Sequence, residues 1–176
     1  MKITDVEILP NNQYMFLRIH TDAGVTGLGE SGAWGYLEAS AAVMQSYKAY
    51  LVGKDPMRIE YHWQYLYRMG PFRGSALSGA VSAIDIALWD LAGKILDLPV
   101  SELLTGRFRE RVDMYFNGDP SDWSDRSVID EFVAKFRAHP YGFRTLKCSF
   151  PMPDDAHLSR PFGGAVVNQS MKSSDL

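Results

Sequence analysis

The sequence predicts an α+β fold, and three observations lead to it. Short alternating stretches joined by tight turns fill the first thirty residues. Helical periodicity then dominates from about residue 36 to residue 104, and after Gly106 strand-like and helix-like stretches alternate. Residues 2–9 carry Ile3, Val6 and Ile8 broadly on one side and end at Pro10. Asn11-Asn12-Gln13 is a polar turn, and residues 14–20 (YMFLRIH) make a second strand rich in aromatic and branched side chains. Thr21-Asp22-Ala23-Gly24 reads as a tight turn in which Gly24 takes the positive φ such turns need. Residues 25–30 (VTGLGE) give a third strand, where Gly27 and Gly29 leave the backbone open to close approach. Three antiparallel strands in sequence form a meander, and one of its faces must be covered.

The cover is helical. Residues 36–51 place Leu37, Ala41, Met44, Tyr47 and Leu51 on one side, with Gly53 as the stop. Asp55 and Pro56 are expected to open a helix running to Met69, as N-cap and first helical residue. Gly70-Pro71-Phe72-Arg73-Gly74 is a loop. Residues 75–96 form a long helix dense in small side chains, including Ala80, Ala83 and Ala87, whose spacing admits neighbouring helices closely. Pro99 starts a short helical turn through Leu104, ended by Gly106. Beyond it, residues 112–117 read as a strand. Residues 125–139 read as a helix with Val128, Ile129, Phe132, Val133 and Phe136 on its apolar face, and 143–150 as a further strand. That is a βαβ unit, the element of a parallel sheet. Residues 151–176 hold three prolines and an adjacent glycine pair, and read as a loose tail. The expected divisions are 1–106, 107–150 and 151–176.

Composition narrows the function classes. A chain of 176 residues suits one domain, or one and a part. With 46% hydrophobic and 22% charged residues it is ordinarily globular, which excludes wholesale disorder. Eighteen basic against 21 acidic side chains give a net charge of -3, no footprint for nucleic acid or an anionic membrane surface. No apolar run approaches the roughly 20 residues of a membrane span, and the N-terminus reads as a strand rather than a signal peptide. The single cysteine, Cys148, rules out an internal disulfide and suits a reducing cytoplasm, the expected location.

Familiar catalytic and metal patterns are missing. There is no Ser-His-Asp set, P-loop or dinucleotide fingerprint. His20, His62, His139 and His157 fall on different elements without ligand spacing. Asp85 and Asp90 lie five positions apart on one helix, about 140° apart around it, and are expected to cap or bridge neighbouring elements. Asp154 and Asp155 are adjacent on an extended segment and point apart. No metal ligand set is expected in this chain.

Several segments together resemble a known family. GVTGLGE after a hairpin, then GKDPMRIEYHWQYLYR, then SAIDIALWDLAGKILDLPVSELLTG, are similar to the N-terminal capping domain of the enolase superfamily, in its mandelate racemase and muconate-lactonizing branch. MFLRIHTDAGVTGLGE and FRGSALSGAVSAIDIALWD resemble most the acid-sugar (galactonate-type) dehydratases. The resemblance covers about residues 1–150. It implies a cap of three strands and a helical bundle over the mouth of a modified TIM barrel. It also implies magnesium held by three barrel carboxylates, a base that removes the proton α to a carboxylate, and loss of a β-hydroxyl as water. The partner implied is a small sugar acid, and a homo-oligomer is expected.

On this chain the resemblance singles out two cap loops and one strand end. Loops 30–34 and 69–75 supply substrate contacts in the family. Trp34 and Phe72 then wall the pocket and Arg73 pairs with a carboxylate or hydroxyls; the alternatives are an exposed loop tryptophan and a solvated arginine. Many relatives carry Lys-x-Lys on the second barrel strand, where this sequence has Lys147 and then Ser149. Lys147 alone is the catalytic candidate, its alternative a strand-end lysine in solvent, and Cys148 beside it reads as a small buried hydrophobe. Magnesium belongs to the intact family, and none is expected to bind here. A cap of about 110 residues and a barrel of about 250 exceed this length, so the expectation is a truncated, inactive part of such an enzyme. The other possibility is a stand-alone, cap-like binding module that associates through exposed strand edges.

Overall fold

The computed structural model describes residues 1–12, 14–32 and 36–148, in two units that divide after Arg107. In the first unit the meander forms as β1 (Ile3–Asn11), β2 (Tyr14–Thr21) and β3 (Thr26–Ser31), antiparallel in the order β1-β2-β3. Strand alternation sends Met15, Leu17, Ile19 and Thr21 inward, and Tyr14, Phe16, Arg18 and His20 to the other face. On that outer face Glu7 receives Arg18 at 3.3 Å and His20 at 3.1 Å. The hairpin between β2 and β3 closes with Gly24 at φ 75 and Thr21 Oγ1 donating to Val25 O at 2.7 Å. One boundary differs from expectation: β1 runs through Pro10, which pairs with Met15. β1 is an edge strand, and an edge tolerates a residue that lacks an N–H.

Three helices cover the inner face: α1 (Leu37–Leu51), α2 (Ile59–Arg68) and α3 (Ser75–Leu96), with the short α4 (Val100–Leu103) after them. Met44, Tyr47 and Leu51 of α1, Ile59 and Leu66 of α2, and the alanine-rich side of α3 join Ile3, Val6, Leu17 and Ile19 in one core. After α1, Gly53 at φ +83 donates its N–H to Ile3 O at 2.8 Å and so ties the helix end to β1. α2 begins later than Asp55 and Pro56 suggest. Asp55 Oδ1 instead accepts from Met57 N at 3.0 Å, a local turn that holds the chain out of the helix until Ile59. Buried His62 lies between Tyr50 Oη at 2.9 Å and the Asp55 carbonyl at 2.8 Å. A carbonyl only accepts, so Nε2 carries hydrogen.

α3 is where expectation and structure differ most usefully. Its small side chains admit a strand rather than another helix. A Cβ on Gly27 would come 2.0 Å from Ala87 O, and one on Gly29 would come 1.9 Å from Ala83 O, so β3 and α3 touch backbone to backbone. With 22 residues, α3 is also long and apolar enough to cross a membrane, contrary to the expectation that no such stretch exists. Half of that apolar window is buried inside the unit. Asp90 bridges to another element as expected, whereas Asp85 is half-buried and feels the like charge of Glu60. Asp90 Oδ2 accepts from Leu28 N at 2.8 Å, Lys94 Nζ donates to Thr26 O at 3.0 Å, and the two side chains pair at 2.6 Å. This pair occupies backbone groups that the edge strand β3 would otherwise leave open.

The second unit holds β4 (Phe116–Asn117), α5 (Arg126–Arg137) and β5 (Leu146–Lys147), with β4 and β5 parallel. Asp125 caps α5, accepting from Ser127 N at 2.8 Å. Phe116 is the hub, with ring centroids at 6.1 Å to Phe132, 5.9 Å to Phe136, 5.6 Å to His139 and 5.7 Å to Phe143. Both strands are shorter than their sequence patterns, and Val112, Met114 and Tyr115 are exposed. Apolar alternation marks strand-forming residues, but a ladder forms only where a neighbour pairs with it. The expected tail at 151–176 lies outside the described residues.

Candidate functional site

The site is built by the connection between α2 and α3. α2 buries Ile59, His62 and Leu66, and an adjacent side carries Trp63 and Tyr67, one helical turn apart. Their rings stack with centroids 4.9 Å apart and planes 8° apart. The chain leaves α2 at Met69, passes through Gly70 and Pro71, and enters α3 at Ser75. Within this loop Phe72 is 83% exposed, an apolar ring without cover. Arg73 turns back: its guanidinium lies 4.7 Å over the Tyr67 ring centroid, and Nη1 donates to Gly70 O and, at 3.1 Å, to Phe72 O. Among the described residues Nη1 makes every hydrogen bond of this side chain, so Nε and Nη2 keep donors for a ligand. The positive charge is also felt by Tyr47, whose phenol is pushed up by burial while Arg73 opposes the rise.

Two connections feed helices side by side. Residues 32–36 lead into α1 and residues 69–74 into α3. The first turns of these helices are joined by Ser40 Oγ donating to Ala76 O at 3.1 Å. Ser31, the last residue of β3, is buried there, with its hydroxyl unpartnered among the described residues. Phe72 and Arg73 are thus neighbours on one loop, whereas Trp34 lies outside the described residues. Lys147 belongs to the second unit. It is exposed at the end of β5, with Nζ 5.9 Å over the Tyr115 ring. Cys148 beside it is half-buried rather than fully buried, and burial, then the charge of Asp119, push its thiol up. Sequence reasoning missed Trp63 and Tyr67. The available signal was their i, i+4 spacing just before the loop.

No group of three or more His, Cys, Asp or Glu side chains that could hold a metal ion exists among the described residues. These residues therefore do not fit the magnesium site of the resemblance, and no step is assigned to that ion here. Asp154, Asp155 and His157 lie outside the described residues. His20, His62 and His139 sit in the ion pair, the buried hydrogen bonds and the aromatic cluster described above.

Residues 4–105 match the mandelate racemase / muconate lactonizing enzyme N-terminal domain. The chain is 46% identical over 138 residues to D-galactonate dehydratase of Xanthomonas euvesicatoria pv. vesicatoria (strain 85-10), covering 77% of this chain and 34% of that protein. It is 44% identical over 131 residues to D-galactonate dehydratase of Verminephrobacter eiseniae (strain EF01-2), covering 71% of this chain and 34% of that protein. Its fold superposes on an enolase from Pantoea ananatis with bound D-gluconate and Mg, with a TM-score of 0.72 and 32% identity, covering 84% of this chain and 36% of that one. The chain spans about a third of the length of the curated relatives it matches, 34% in each case. With the three-stranded sheet and its helical cover, these matches show that the chain belongs to the mandelate racemase / muconate lactonizing enzyme family of the enolase superfamily.

Proposed function

We propose that this chain supplies the capping portion of a sugar-acid dehydratase and holds one end of an aldonate through Arg73, with Phe72 and Trp34 as apolar walls. The observation that supports this is Arg73 itself, which stands on the exposed connection before α3 with its guanidinium over Tyr67 and Nη1 bonded to Gly70 O and Phe72 O. A guanidinium edge matches a carboxylate in shape and charge, and an aromatic ring covers the C–H faces of a polyol. The reaction of the intact relatives would remove the proton α to the carboxylate and expel the β-hydroxyl. Lys147, at a strand end, is the candidate to contact substrate, and magnesium would act only where carboxylates converge to hold it, a set that does not occur among the described residues. We infer that the chain alone does not turn over, because no metal site exists among its described residues.

Binding of D-galactonate, followed by backbone amide shifts of the full chain, tests the first part. Residues 69–75 should shift, and Arg73→Ala should weaken binding about tenfold, the worth of a charge-assisted hydrogen bond. Shifts confined to other segments would remove the assignment. Incubation with D-galactonate and Mg should yield no 2-keto-3-deoxy acid, and turnover by a purified sample refutes the inactivity.

A second reading has its own observation. Phe108, Val112 and Met114 are exposed in a unit whose described sheet has only two strands. Such a surface favours association with another chain. Light scattering of a concentrated sample should show oligomers, and a uniform monomer counts against it.

A further inference from the structure

We propose that Trp63 and Tyr67 are positioning residues, a stacked pair that preorders Arg73 for an anionic ligand. The proposal deepens the Arg73 assignment and rests on it for the identity of the ligand. Three planar groups form one series of contacts: the Trp63 indole stacks on the Tyr67 ring at 4.9 Å, and the Arg73 guanidinium lies 4.7 Å from the Tyr67 centroid. One end of the series is fixed, because Trp63 packs against the buried core of the first unit. The other end stands in an exposed loop, where an arginine side chain would ordinarily sample many rotamers. Stacking removes that freedom from the guanidinium face. The Nη1 bonds to Gly70 O and Phe72 O then fix its rotation in the plane. The remaining edge, Nε and Nη2, is left at a set orientation. A ligand carboxylate meets donors already in place, and the entropy of ordering the side chain is not charged against binding.

The same contacts explain why the tyrosine hydroxyl is dispensable for this role while the ring is not. The attraction comes from the ring's electron-rich face, which phenylalanine retains. Tyr67→Phe should therefore leave Arg73 ordered, and Tyr67→Leu should release it.

The experiment uses the full chain and two readouts. Without ligand, the heteronuclear NOE of the Arg73 Nε–Hε group reports its order. With D-galactonate, titration gives Kd. For Tyr67→Leu we expect the NOE to fall towards the values of the other exposed arginines, and Kd to rise about three- to fivefold, the loss of one exposed cation–π contact. Tyr67→Phe should match the unsubstituted chain in both. If Tyr67→Leu lowers the urea midpoint, Tyr67→Met, which keeps an unbranched helix-favouring side chain, takes its place. An unchanged NOE in the leucine or methionine variant overturns the positioning role. Equal D-galactonate binding by Arg73→Ala, or none by the unsubstituted chain, overturns the Arg73 assignment instead. The stack is then judged on the NOE alone.

Discussion

At the scale of single residues, the tightest constraints are two missing side chains. Gly27 and Gly29 lie where a Cβ would overlap the carbonyl oxygens of Ala87 and Ala83, and neither backbone can yield without separating α3 from β3. Gly27→Ala should lower the stability of the first unit by about 3 kcal/mol or more, read from urea unfolding. Gly32, where an added Cβ meets nothing within 4 Å, is the control. Asp85 gives a pH prediction. Burial raises its carboxyl above the ordinary 3.8, and the charge of Glu60 raises it further. The folded chain then holds this proton more tightly than the unfolded chain does. The associated stability is fully present below pH 3.8 and is lost as pH rises through the higher folded value. Asp85→Asn should flatten that fall and raise the urea midpoint at pH 7, and an unchanged midpoint there would show that the burial has no energetic consequence.

At the scale of elements, the Asp90–Lys94 pair acts as a clasp between α3 and the edge of β3. Asp90→Ala leaves the Leu28 N–H without its partner and Lys94 without its counter-charge. The expected cost is about 1–3 kcal/mol, with faster hydrogen exchange at Leu28 than at the β2 amides. Loss of stability without that local acceleration would argue against the clasp. The bounds of α3 were legible because the Gly70–Gly74 loop and Pro99 flank a clear apolar pattern, and in the structure the helix ends at Asp97 in the left-handed conformation. Other bounds were not. Pro10 stays in its strand because β1 is an edge, and Asp55 turns the chain locally instead of capping α2. Both outcomes depend on neighbours that a local pattern does not contain. Of the candidate site, the loop was legible, because Gly70, Pro71 and Gly74 break the helices on either side, but the contact of Arg73 with Tyr67 forms only once the loop folds back over the helix it has just left.

At the scale of the whole molecule, the two units differ in how much they bury. The first has a continuous core in which Leu17, Ile19, Met44 and Leu51 are fully enclosed. In the second, no residue of α5 is buried and the described sheet has two strands. Hydrogen exchange should therefore protect β2 and α3 well beyond α5, β4 and β5, and equal protection would contradict this difference.

The order of elements, the α+β class and the apolar faces of α1 and α3 were determined by the sequence alone, because periodicity and turn residues act over a few positions. What each face meets was decided only by the tertiary structure. The apolar stripe of α3 accepts a glycine strand rather than a helix. Its clasp joins residues 62 and 68 positions apart, and Arg73, though exposed, lies over the Tyr67 ring. A hydrophobic pattern specifies that a surface must be covered. Which partner covers it is set by shape, free hydrogen-bonding groups and the path of the chain, and these come together only in the folded state.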